Sequence, residues 1–226
     1  MPSTCPLFIR MLSTALLLAT ATCAQAEGVL AQLYSARPPP GSAFVRVITP
    51  DATPLSVRVG NARQETVSVA QPASAYVVIA EKTRYPVSVQ GQVSQHEAPA
   101  AGAFLTLIAQ QHDQAWQFTS IEDPADANDG LKAALRFYNV ARNCPTARVS
   151  LDRDGPNVFA DTPSMGAASR SINPVAATLV GWCGERSASL TLPALKAGDH
   201  YSFFLIETDQ ALQLVGQRNR TEEYTK

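Results

Sequence analysis

Histidine is scarce in this 226-residue chain, with three in all, His96, His112 and His200. Cysteine is hardly commoner at four, aromatic residues make up 7% and charged residues 16%. So few imidazoles and thiols leave little material for a multi-metal centre. Neither sign of charge dominates, since 18 Lys+Arg stand against 19 Asp+Glu. That balance argues against nucleic acid or an anionic membrane as partner, because both select a basic excess. No Gly-x-Ser-x-Gly occurs, and Gly198-Asp199 leads into His200 instead of the serine that opens many esterases. Gly60, Gly91 and Gly102 stand alone, so no phosphate-cradling loop is in view. What the chain has in quantity is apolar side chain, 46% of residues, which excludes a disordered polymer.

Residues 1–26 read as a secretory leader. Arg10 is its only charge, Met11 to Ala19 is apolar, and Ala24-Gln25-Ala26 is a small-x-small cleavage site. The run is shorter than the roughly 20 residues a membrane span needs. A lipoprotein would acylate Cys23, but Thr20-Ala21-Thr22 lacks the usual preceding residues. Cleavage would remove Cys5 and Cys23 and leave Cys144 and Cys183. Two thiols exported to an oxidising compartment are expected to pair. Closing a loop of about 40 residues would add roughly 4 kcal/mol of stability.

Helical periodicity is nearly absent, whereas period-2 alternation recurs. Ala43, Val45 and Val47 alternate with Phe44, Arg46 and Ile48, and Leu55, Val57 and Val59 with Ser56 and Arg58. Further strand patterns run through Val67, Tyr76 to Ile79, Val87 to Val89, Phe104 to Ala109 and Trp116 to Ile121. The segment Glu122 to Gly130 holds four acids, a proline and a glycine but no large apolar side chain, and reads as a linker. A second β set follows in Leu131 to Val140, Ala147 to Leu151, Val175 to Trp182, Ser187 to Leu192, Tyr201 to Thr208 and Leu212 to Val215. The fold expected is all-β, two consecutive β-sandwich domains at 27–121 and 131–226, joined by a short acidic linker at 122–130. No exact internal repeat is visible. Residues 217–226 are polar and read as a frayed tail. Pro86, Pro145 and Pro174 are expected to protect sheet edges.

Each histidine reads as a solvated loop or strand-end residue. Asp152-Arg153-Asp154-Gly155-Pro156 superficially suggests a calcium loop, yet it lacks the terminal glutamate and reads as a hairpin turn. Trp182, beside Cys183, is expected to pack on the disulfide, and Trp116 is the better candidate for an exposed, sugar-stacking face. Tyr34 to Gly41 is stiffened by its prolines and carries Arg37 as a docking arm.

Two segments carry a family resemblance. Leu33-Tyr34 followed by Pro40-Gly41-Ser42-Ala43-Phe44-Val45-Arg46-Val47 resembles the start of mature AlgF proteins of alginate O-acetylation. Arg170-Ser171-Ile172-Asn173-Pro174-Val175 is similar to that family's Arg-x-Ile-Asn-Pro-Val, and Leu131 to Asn139 fits the opening of its second domain. The resemblance implies a periplasmic accessory protein with two β-sandwiches and no catalytic residues, while the residues themselves call for no metal and no cofactor. It would bridge a membrane-bound O-acyltransferase and periplasmic SGNH-type acetyltransferases acting on an exopolysaccharide. Anchors for such contacts would be Tyr34, Arg37, Arg46, Arg58, Trp116, Asn173 and Pro174. The Cys144/Cys183 pair and the stretch Ala147 to Met165 depart from the family pattern, which leaves alginate and cellulose both open as the polymer. Two other readings stay open: a polysaccharide-binding module using Trp116, and an acetyl carrier or transferase with a Ser/His pair that includes His112 or His200.

Overall fold

Alternating β-branched and polar residues separated by glycine, proline and aspartate turns favour strands over helices. Accordingly, the computed structural model holds sixteen strands and no helix in its described residues, 38–224 apart from 52, 81–83, 124–130 and 210. The first half contains β1 (Ala43–Ile48), β2 (Leu55–Val59), β3 (Glu65–Val67), β4 (Val77–Ile79), β5 (Tyr85–Val89), β6 (Gln92–His96), β7 (Phe104–His112) and β8 (Ala115–Asp123). The second contains β9 (Ala133–Asn139), β10 (Thr146–Leu151), β11 (Asn157–Pro163), β12 (Gly166–Ile172), β13 (Thr178–Cys183), β14 (Arg186–Thr191), β15 (His200–Glu207) and β16 (Leu212–Arg218). Residues Pro38–Tyr224 form one compact unit.

The first half makes two sheets, β4-β1-β7-β8 and β3-β2-β5-β6, with β1 and β7 parallel. Adding eight to each strand number gives the sheets of the second half, β12-β9-β15-β16 and β11-β10-β13-β14, with β9 and β15 parallel. One eight-strand sandwich is therefore repeated along the chain. The repeat escapes a search for sequence identity because it is conserved in strand order and not in residue type. At a few positions it does surface in residues. Arg46 is the fourth residue of β1 and Arg136 the fourth of β9; the first pairs with Thr106 and the second with Ser202.

Each sandwich has its own core. Val45, Val47, Val57, Val87 and Leu107 lead the first, and Leu135, Phe137, Val149, Phe203 and Leu205 the second. A third apolar cluster joins them, built from Ile48, Ala73 and Ile108 on one side and Tyr138, Val140, Phe204 and Ile206 on the other. The central strands β1, β7, β9 and β15 are thus covered on both faces, which is why Tyr201 to Ile206 is an almost unbroken apolar run. This arrangement corrects the expectation for Arg46. Alternation does turn it away from its own sandwich core, but that face meets the other sandwich and leaves Arg46 only 1% exposed.

Three further expectations change. β8 continues through Glu122 to Asp123, and Asp123 is buried; the rest of the expected linker, 124–130, lies outside the described residues. The tail is not frayed through 222. Tyr76 N–H donates to Arg220 O and Glu222 N–H to Tyr76 O, both at 2.8 Å, and Arg220 pairs with Glu65. The Gln217 amide also exchanges two hydrogen bonds with the Ala73 backbone, so the C-terminal segment straps one sandwich to the other. Pro86 lies on an inner strand, β5, and not at an edge; it sits one residue outside the β2 register, where its missing N–H breaks no ladder bond.

The hairpin reading of Asp152 to Pro156 holds, because Leu151 N–H closes the turn on Pro156 O at 2.9 Å. Gly155 is required there, since a Cβ would lie 1.7 Å from the Leu151 carbonyl oxygen. Cys144, in the β9–β10 connection, and Cys183, ending β13, form a buried disulfide within the second core. Trp182, however, does not pack on it. Successive residues of a strand face opposite ways, so an inward Cys183 turns Trp182 to the outer surface.

Candidate functional site

The densest polar constellation lies between the sandwiches and is closed to solvent. Asp123 accepts hydrogen bonds from Tyr138 (2.6 Å), Tyr76 (2.7 Å) and Thr106 (2.8 Å), and Arg136 stands 3.3 Å away. Arg46 donates to Tyr138 (2.7 Å), Ser202 (3.0 Å), Thr106 (3.0 Å) and Asn219 (3.0 Å). Its guanidinium also lies 4.5 Å above the Tyr76 ring, a cation–π contact. The constellation follows the internal repeat. Arg136 reaches Asp123 at the end of the first half's last strand, and Arg46 reaches Asn219 just past the end of the second half's last strand. Burial drives the Tyr138 and Tyr76 pKa values upward, so both phenols stay protonated as donors. For Arg46 burial pulls the pKa down, but Tyr138, Tyr76 and Asp123 outweigh it and the net shift is upward. Asp123, Tyr76, Thr106, Tyr138, Ser202 and Arg46 are all buried and each is bonded to another member of the cluster, with Asn219 at its partly exposed rim. The arrangement joins the two sandwiches through charged and hydroxyl groups.

A Ser/His contact does exist, at residues other than those anticipated. Ser94 Oγ and His96 Nε2 are 2.8 Å apart on β6. The His96 ring packs against Tyr85 and Phe118, and burial lowers its pKa, favouring the neutral base. Nucleophilic catalysis further requires a group to orient the base and donors for the oxyanion. Among the described residues no carboxylate is hydrogen-bonded to His96 to orient it. His112 is exposed beside Asp113 at 3.3 Å, and His200 is an exposed residue at the start of β15. Among the described residues no three His, Cys, Asp or Glu side chains cluster to hold a metal.

The remaining anticipated anchors are scattered. Tyr34 and Arg37 lie outside the described residues. Arg58 is exposed on β2. Trp116 is half-buried against the first core and lines a cleft of about 1090 Å3 with Gln90, Gln92, Gln111 and Gln114. Carboxylates of Asp113 and Asp209 also line that cleft, which disfavours a polyanionic sugar there. Asn173 and Pro174 are exposed just after edge strand β12. Asn173 borders an apolar groove of about 410 Å3 at the mouth of the second sandwich, with Ile172, Val175, Leu135 and Leu179. Val175 is 52% exposed beside it.

The family described as alginate O-acetyl transferase AlgF matches residues 14–200. The chain belongs to the AlgF family. Both segments that carried the resemblance, 33–47 and 170–175, fall inside the match. A solved structure of the N-terminal domain of AlgF from P. aeruginosa aligns at 23% identity and TM-score 0.30, covering 39% of this chain and all of that one. A carbohydrate-binding module of family CBM26 from Eubacterium rectale Amy13K, in complex with maltoheptaose, aligns at 8% identity and TM-score 0.28 over 80% and 97% of the two chains. A cell adhesion protein from Bacteroides uniformis aligns at 10% identity and TM-score 0.27, over 81% and 98%. No curated protein matches. Membership ties this AlgF-family chain to alginate O-acetylation, and its disulfide is of the kind formed in oxidising compartments.

Sequence reading missed Asp123, Tyr76 and Tyr138 as partners of Arg46, because strands far apart in the chain bring them together. Trp182 could have been found, since the alternation that buries Cys183 already assigns it to the outer face.

Proposed function

We propose that this AlgF-family protein is a non-catalytic periplasmic adaptor for alginate O-acetylation. It holds a membrane-bound O-acyltransferase and SGNH-type acetyltransferases together while acetyl groups pass to the polymer. The family match over residues 14–200 carries the reading. Two features of the fold support it. The buried Arg46–Asp123 constellation makes one stiff body of two sandwiches, which suits a spacer between partners. The groove beside Ile172, Asn173 and Val175 offers an apolar pocket with an exposed turn, a form that commonly receives an anchoring side chain.

The test is acetyl content of the secreted polymer in a deletion strain, complemented with wild type or with Val175→Asp. Deletion should abolish acetylation while polymer yield stays normal. Val175→Asp should fold normally and fail to restore acetylation or to co-purify the acetyltransferases. Unchanged acetyl content after deletion would overturn the proposal. Transfer of acetyl groups by the purified protein alone, lost in Ser94→Ala or His96→Ala, would replace it with direct catalysis.

A further inference from the structure

We infer that the outer face of the sheet β11-β10-β13-β14 is a binding surface for the carboxylated sugar chain itself, centred on Trp182, Arg148 and Arg153. Trp182 and Arg148 are cross-strand neighbours in the β10–β13 register. The Arg148 guanidinium carbon lies 4.4 Å from the indole centroid and that of Arg153 lies 5.6 Å from it. The ring itself is fixed. Its Nε1–H donates to Ser150 Oγ at 3.0 Å, and the fully buried Ser150 hydroxyl donates in turn to the Asp152 carbonyl at 2.7 Å. Two exposed guanidinium groups are thus gathered over one fixed ring by cation–π attraction, and an anionic counter-charge would offset their mutual repulsion.

Among the described residues neither arginine has that counter-charge. Arg84, Arg142, Arg186, Arg218 and Arg220 each hold a carboxylate. Arg148 and Arg153 make no ion pair among the described residues, although Asp152 and Asp154 flank Arg153 in its turn. A guanidinium stacked on an indole keeps its N–H donors pointing sideways, free for a planar carboxylate. The rest of the face favours a sugar chain over a protein. Ser187 lies opposite Trp182, Ser189 opposite Val180 and Thr191 opposite Thr178, so the strand bordering Trp182 presents a row of hydroxyls. Apart from Trp182 itself, Val180 at 6% exposure is the large apolar side chain of this row, too little for the apolar centre of a protein interface. Hydroxyls beside two guanidiniums match a polymer that repeats hydroxyls and carboxylates.

The choice of a uronate as ligand rests on the alginate assignment, and the test is independent of acetylation. The full-length mature protein carrying Trp116→Phe, so that Trp182 alone reports, is titrated with mannuronate oligosaccharides and with neutral cello-oligosaccharides of equal length. The oligouronate should change Trp182 emission, bind more weakly as salt rises, and lose roughly tenfold or more in affinity with Arg148→Gln plus Arg153→Gln, as the loss of charge-assisted hydrogen bonds implies. The neutral chain should not bind. Both substitutions are on the surface, and thermal melting checks that the fold is kept. No binding of the oligouronate, equal binding of the neutral chain, or affinity unchanged in the double variant would overturn the inference. So would a double variant that binds oligouronate normally but fails to capture an acetyltransferase, which would assign the face to an acidic protein. If the inference fails while deletion still abolishes acetylation, the adaptor reading stands.

Discussion

Asp123→Asn should be the most damaging conservative substitution in this protein. The native carboxylate is 2% exposed, accepts three hydroxyl hydrogen bonds and is, among the described residues, the one buried acid beside two buried guanidiniums, Arg46 and Arg136. An asparagine is nearly isosteric but removes the charge and turns one acceptor position into an N–H donor, facing groups that are themselves donors. Leaving buried charge without its partner typically costs about 3–5 kcal/mol. Total stability for a domain is about 5–15 kcal/mol, so the loss would be a large fraction of it. At a urea slope of about 2 kcal/mol/M, the unfolding midpoint should fall by roughly 1.5–2.5 M. Trp116 reports on the first sandwich and Trp182 on the second, so Trp116→Phe and Trp182→Phe backgrounds follow each separately. In the native background both should unfold together; in Asp123→Asn they should separate, because the joint between the sandwiches weakens first. Tyr138→Phe is the control. It deletes hydrogen bonds to Asp123 and Arg46 but keeps the charge balance, for an expected cost of about 1.5–3 kcal/mol. A loss below about 1 kcal/mol for Asp123→Asn, or a larger loss for Tyr138→Phe, would refute the claim that charge neutralisation dominates this joint.

Two further perturbations probe other parts of the fold. Replacing Cys144 and Cys183 together by alanine should lower stability by roughly 4 kcal/mol on the chain-entropy model; urea titration with and without reductant measures it, and a reductant-insensitive wild type would contradict it. Burial holds the His96 pKa below its ordinary value, so the folded state favours the neutral ring. That contribution is present above about pH 6.5 and is lost as pH falls through the lowered folded value. Thermal melts between pH 7 and pH 5 should therefore drop more for wild type than for His96→Gln, and parallel slopes would show that His96 is not the group responsible.

The strands most legible in the sequence were those with one wet face. Leu55 to Val59 alternates cleanly because β2 covers the first core with one side and meets water with Arg58 on the other. β6, β11 and β12 were not anticipated. Their half-exposed runs of small and polar residues, such as Gly166 to Ser171, carry too little apolar contrast to register. Arg46 shows where local pattern misleads. Its alternation was read correctly, yet whether the opposite face meets water or protein depends on residues roughly 90 to 170 positions away.

Composition and alternation alone determined an all-β chain, the pairing of Cys144 with Cys183 and the motifs that mark its family, because those depend on local periodicity, residue counts and short words. Only the tertiary structure decided that one strand order occurs twice, that the two sandwiches are fastened through a shared buried ion constellation, and that Trp182 faces outward beneath two arginines that hold no carboxylate among the described residues. Such properties arise where distant strands meet, and no window along the chain contains both partners.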